Sequence, residues 1–235
     1  MTEIWSYLAH GPLLWLTGTL AAYLVGQWVY QLTGRLALAN PAVIAVVLLT
    51  VLVQSTGTSF ATYFEGAQFV HFLLGPATVC LALPLWENLP RIRKAALPLI
   101  AALIAGSAVS MISAMTIIWA FGAGPEMLAS MAPKAATAAI AIGISEQLGG
   151  SPTMTTLAVM MTGITGALIA TPLLNLMGMR DWRARGFAVG VAAHGFGTAR
   201  AFQVHSTAGA FAGLGMGLNA VVTAVLAPLV LRLFV

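Results

Sequence analysis

The sequence predicts an all-α integral membrane protein. Three observations carry that prediction. Of the 235 residues, 60% are apolar and only 7% are charged, against about 25% charged in a soluble domain. Ten cations and six acids cannot cover a soluble surface of this size, and a chain so apolar is not intrinsically disordered. The apolar residues also fall into runs near the roughly 20 residues that a spanning helix needs. Finally, the cations are spread between those runs. The net charge of +4 therefore belongs to loops, not to the clustered basic patch of a nucleic-acid binder. Seven or eight spanning elements use up the chain, so residues 1–235 read as a single polytopic membrane domain with no room for a soluble catalytic one.

The elements follow in order. Trp15 to Leu32 is the first span, with Trp15 and Trp28 placed as interface anchors. Asn40-Pro41 opens the second, Ala42 to Gln54, which is short and β-branched. Ser55 to Glu65 reads as a polar and aromatic connector. Phe69 to Trp86 is the third element, interrupted by Gly75-Pro76 and Pro84. Glu87 to Lys94 is the most polar loop. Ala95 to Phe121 is a long fourth span, and Gly122 to Ser130 a loop. Ala132 to Leu148 opens with Pro133-Lys134, is rich in small residues, and ends at the break Gly149-Gly150-Ser151-Pro152. Thr153 to Met177 is the sixth element and Met179 to Arg185 a second basic loop. Gly186 to Gln203 is the seventh and Ala208 to Phe234 the last. Cys80 lies alone in an apolar run and has no intrachain disulfide partner. Met1 to Gly11 lacks Lys and Arg, so a cleaved signal peptide is not expected.

Basic loops favour the cytoplasmic side. Arg35 and the Arg91/Arg93/Lys94 loop agree with an N-terminus outside. The Arg180/Arg183/Arg185 loop agrees only if Ala132–Leu148 dips in and returns on one side, which non-helical backbone at depth permits when protein or water surrounds it. The expectation is seven crossings plus one re-entrant segment, N-terminus out and C-terminus in. Residues 40–121 and 151–235 would then be inverted repeats, with the third and seventh elements as counterparts. They read alike: His71-Phe72-Leu73-Leu74-Gly75-Pro76-Ala77-Thr78 against His194-Gly195-Phe196-Gly197-Thr198-Ala199. Paired interrupted segments point to a transporter site; small residues at plain helix contacts would look similar.

Polar residues at membrane depth are the functional candidates. His194 with Gly195 and Gly197 allows a helix break, whose free backbone N–H groups suit an anion. Arg200 adds a fork for a carboxylate. His71, Gly75, Pro76 and Thr78 form the matching break. Lys134 and Thr137 lie in the re-entrant segment, where Lys134 faces either a substrate anion, Glu146, or the aqueous end. The six acids fall in or near loops, which disfavours cation exchange. No His-Glu-x-x-His, Cys-x-x-Cys, phosphate-loop or nucleophile-elbow pattern is present, so no enzyme, metal or cofactor is expected.

These segments resemble the LrgB/CidB family of bacterial membrane proteins. The likeness is carried by Phe72–Thr78, by Pro133-Lys134 through Ile144-Ser145-Glu146 with Gly149-Gly150, by Thr162-Gly163-Ile164-Thr165-Gly166, and by His194-Gly195-Phe196-Gly197-Thr198-Ala199-Arg200-Ala201. One departure stands out: after the lysine this chain has Ala135-Ala136-Thr137-Ala138-Ala139-Ile140-Ala141, where relatives usually carry a hydroxyl-rich, proline-broken stretch. The resemblance implies an inverted-repeat, transporter-like fold with broken helices crossing at mid-membrane. It implies a secondary transporter of small monocarboxylates of the pyruvate, glycolate and lactate class. Alternatively it implies a holin/antiholin-like effector of murein hydrolase activity and autolysis. Membrane lipids, a small LrgA/CidA-like membrane partner and a homodimer are the expected associations.

Overall fold

A computed structural model describes residues 11–36, 39–73, 76, 79–80 and 82–235, and every described regular element is a helix. The chain divides into two compact units, Met1–Cys80 and Leu81–Val235.

In the first unit, α1 is Pro12–Leu32, α2 is Pro41–Ser55 and α3 is Phe60–Phe72. Proline opens α1 and α2 at the position where its missing N–H costs nothing, and Asn40 caps α2 by accepting from Ala42 N at 2.9 Å. α1 packs on both neighbours. Gly26 makes this possible, because a Cβ there would strike the Pro41 backbone. Trp15 is buried, not an interface anchor; its ring meets Tyr63 edge-on, 5.7 Å between centroids. The stretch expected as a connector, Ser55 to Glu65, is in part helical, since α3 starts at Phe60. The third element is not one span: α3 ends at Phe72 and α4, Ala82–Glu87, is a separate helix. Gly75 and Thr78 lie outside the described residues, as does the side chain of His71.

The second unit continues with α5 (Leu89–Lys94), α6 (Ala96–Ala120), α7 (Pro125–Met131), α8 (Ala138–Gln147), α9 (Pro152–Leu176), α10 (Trp182–Val204) and α11 (Ser206–Leu231). Among the described residues, α6, α9 and α11 are long and apolar enough to cross a membrane. The two other parts, α7–α8 and α10, double back on themselves.

α7 and α8 form a helical hairpin. Leu128 and Ala132 pack beside Met111 and Met115 of α6 and Ala227 and Val230 of α11, so α7 runs back along α6 from its C-terminal end. The non-helical turn 132–137 reaches Ser110, near the middle of α6, through Lys134. α8 then returns. Ser145 and Gly150 end beside Ser130 at the hairpin's mouth, so closely that a Cβ on Gly150 would strike Ser145 and Ser130. Thr155 fastens that mouth to α9, donating to Ser145 Oγ at 2.6 Å with the Ser130 carbonyl at 3.1 Å. The fold-back is made by 125–147 and not by the expected Ala132–Leu148 alone: its ingoing arm, α7, lies where a loop, Gly122 to Ser130, was expected.

α10 also reverses, which the sequence reading did not foresee. Its helical dihedrals fail at Ala193 (φ −132°, ψ 18°) and His194 (φ 38°, ψ −130°). In a continuous helix Val189 and Gly197 would stand about 12 Å apart, at 1.5 Å per residue. Instead, a Cβ on Gly197 would lie 2.8 Å from the Val189 carbonyl oxygen. Trp182 and His205, at opposite ends of the element, stack at 4.9 Å. The expected seventh span is thus a second hairpin with His194 at its tip. α11 runs parallel to the first arm, Gly186 against Ala208 and Gly190 against Ala212, the same offset twice.

This reversal corrects the expected placement of the C-terminus. α11 starts at the Trp182 end and finishes beside Met111, with Phe234 6.5 Å from Trp119. Arg91, Arg180 and Arg183 share one cavity at the other end. The C-terminus and Arg232 therefore stand opposite the basic loops, not beside them.

Candidate functional site at the hairpin tips

The two hairpins enter from opposite ends of the unit, and both tips lean on α9. His194 is buried, and its Nε2–H donates to the Val159 carbonyl at 3.0 Å. Gly163, one turn along α9, permits this, since a Cβ there would sit 2.6 Å from His194 Cε1. The Val159 side chain packs against Ala136 and Ala141 of the first hairpin. Lys134 Nζ donates to Ser110 Oγ at 3.1 Å.

A second polar network braces the first tip. Fully buried Asn219 of α11 donates to the Ala135 carbonyl at 3.0 Å and accepts from Ser107 at 2.5 Å. It ties α11, α6 and the turn together where α7 and α8 break. Thr198 donates to the His194 carbonyl at 2.8 Å, closing the first turn of the second arm.

The expected site residues therefore separate. Lys134, His194 and Thr198 gather around the two tips. Thr137 is the N-cap of α8, with no side-chain cap bond. Gly197 packs between Val189 and Ala193, while Gly195 faces open space. Arg200 does not join the tips. It is buried near the mouth of its hairpin, in a small cavity with Trp182, Arg185 and Val204, and Nη1 donates to Gln203 Oε1 at 3.4 Å. Pro76, in the first unit, is exposed. The suggested pair Lys134–Glu146 is not formed, because Glu146 is exposed and Lys134 bonds Ser110. Sequence reasoning missed Ser107, Ser110 and Asn219. A lone asparagine inside an apolar span was the available signal.

An open groove of about 530 Å³ leads toward this region. Ala102, Gly106 and Ser110 of α6 line one side, Phe187 and Val191 of α10 the other, and Asp181 and Arg183 stand at its outer end. Arg183 and Asp181 make the one ion pair among the described residues, 2.6 Å and half-exposed. Hydrogen bonding from Arg183 holds the Asp181 carboxyl below its usual range. The tips offer the Lys134 ammonium group and two helix starts, while the His194 ring N–H is already taken by the Val159 carbonyl, and no carboxylate appears among their hydrogen-bond partners. That combination can receive a small anion. No group of His, Cys, Asp and Glu among the described residues could hold a metal ion.

The profile described as the LrgB-like family matches residues 19–233. The chain belongs to the LrgB-like family. Within it, the "Holin-like protein CidB" of Staphylococcus epidermidis is 34% identical over 197 residues, covering 84% of this chain and 86% of that one. The protein of the same name from Staphylococcus aureus is 33% identical, covering 83% and 85%. An uncharacterized Bacillus subtilis member, YxaC, is 32% identical over 92% of this chain and 94% of its own. No solved structure matches. The LrgB-like match contains both hairpins and all three long apolar helices, so the family and the composition together identify a membrane protein.

Proposed function

We propose that this chain is a holin-like effector in the bacterial cytoplasmic membrane that modulates murein hydrolase activity, working with a small LrgA/CidA-like membrane partner. The similarity to the holin-like proteins over more than four-fifths of both chains carries this reading, and it is favoured over the transporter reading for that reason. The role is not enzymatic. The test is hydrolase activity on murein gels, and autolysis rate, in cells lacking the chain and in cells given it back. Unchanged profiles in both, with and without the partner, would refute it.

A second reading is favoured by the geometry: secondary transport of small organic monocarboxylates. What supports it is the convergence of two opposed, broken hairpins on one helix, with Lys134 and His194 at their tips and the groove ending at Ser110. α6 with its hairpin and α9 with its own then form an inverted pair, a shorter repeat than the one expected from the sequence. With the arginine end cytoplasmic, as basic loops favour, the second hairpin enters from inside and the C-terminus lies outside. Proteoliposomes separate the two readings. Saturable uptake of labelled pyruvate, glycolate or lactate, lost in Lys134→Ala and His194→Ala, supports transport. Release of a large dye with no saturable uptake supports only the holin-like reading.

A further inference from the structure

We propose that the cavity at the arginine end binds the phosphate of an anionic phospholipid. Arg91, Arg180, Asp181, Trp182, Arg183 and Thr207 line an open space of about 350 Å³, within the size range of small-ligand sites. Three guanidinium groups face one carboxylate, leaving a net charge of +2 in the wall. Two of the three are already positioned: Arg91 donates to Asn88 Oδ1 at 2.8 Å, and Arg183 is held by both Asp181 oxygens. Arg180 is exposed, with no hydrogen bond or ion pair among the described residues. A planar fork of this kind suits phosphate oxygens, singly or in pairs.

Position selects the source of that phosphate. Arg180 follows the end of α9 by four residues and Arg91 precedes α6 by five. Both helices are long enough to span a bilayer, so the cavity sits where headgroups lie. Trp182, an interfacial residue type, is fixed in its wall by stacking on His205 at 4.9 Å and by the Arg185 guanidinium 4.8 Å above its ring. Basic pockets at helix ends on the cytoplasmic side recognise anionic headgroups for this reason. The site does not depend on which function is correct.

The test is native mass spectrometry of the full chain in neutral detergent, titrated with phosphatidylglycerol, phosphatidylcholine or inorganic phosphate. The expected result is retained phosphatidylglycerol in preference to phosphatidylcholine. Affinity should fall about fivefold for each arginine removed in Arg91→Gln and Arg180→Gln. Arg180→Lys keeps the charge and should lose less. Arg232→Gln, at the opposite end, should bind like the parent. Both tested arginines are exposed, so circular dichroism should show the variants folded. Equal retention by parent and double variant overturns the proposal, as does an equal loss in Arg232→Gln. Inorganic phosphate binding without any preference for phosphatidylglycerol also overturns it, by making the free anion the occupant.

Discussion

Gly163 and His194 depend on each other. The absent Cβ lets the imidazole lie against α9 and reach the Val159 carbonyl. Gly163→Ala should push the ring off that carbonyl and destabilise the fold by about 1–3 kcal/mol, as overpacking does, read as a lowered midpoint in detergent. Asn219 stands under a different constraint. Asn219→Ala would strand the Ala135 carbonyl and the Ser107 hydroxyl in a buried place, at about 1–3 kcal/mol for each group left unpaired; Gln would not fit the same span. Asp181 contributes at the surface. It caps α10 by accepting from Arg183 N at 2.8 Å, and Arg183 holds its carboxyl below the ordinary value. A depressed folded-state pKa stabilises above the usual aspartate value near 4 and is lost as pH falls through the lower folded one. The parent's unfolding midpoint should therefore drop more steeply below about pH 4 than that of Asp181→Asn, by a small margin that shrinks in high salt. His194 was legible from its setting between alanines and glycines. Asn219 and Ser110 were not, since one polar atom in an apolar run does not say which neighbour it bonds.

Among the elements, α10 and α11 meet backbone to backbone. A Cβ on Gly186 or Gly190 would strike the carbonyls of Ala208 and Ala212. This parallel contact fixes the second hairpin to the last helix. Gly190→Leu should prevent the docking and leave little folded protein on size-exclusion chromatography. Gly195→Ala, where nothing lies within 4 Å, should stay within about 0.5 kcal/mol of the parent. The long helices α6, α9 and α11 were readable from run length and hydropathy alone. The returning arm of the first hairpin was readable from Pro133, Gly149-Gly150 and the charge count, while its ingoing arm, α7, lies in the stretch expected as a loop. The second was not. Gly186 to Gln203 has nearly the length of a crossing, and two residues with non-helical dihedrals turn a kink into a reversal. Composition cannot tell one from the other.

For the molecule as a whole, that reversal changes the topology. Two hairpins instead of one place the C-terminus opposite the arginine loops. With Cys80 replaced, single cysteines at Arg183 and Val235 should react with a membrane-impermeant maleimide from opposite sides of sealed vesicles. Labelling from the same side would restore the expected span. The site was only half legible for the same reason. Arg200 looked like a partner of His194 because only five residues separate them in sequence, yet the returning arm carries it toward the hairpin's mouth.

Val159 holds His194 through its carbonyl and touches Ala136 and Ala141 through its side chain. The two hairpins thus rest on a common bearing, and neither tip can shift without altering the other's support. Free-energy changes from altering Ala136 and His194 should therefore not add, with a coupling of about 0.5–3 kcal/mol in a double-mutant cycle. By linkage, a ligand at one tip that changes affinity at the other by some factor has its own affinity changed by that same factor, in either direction. Events at one end of the molecule would then be sensed at the opposite end, through a single residue of a helix that itself need not move.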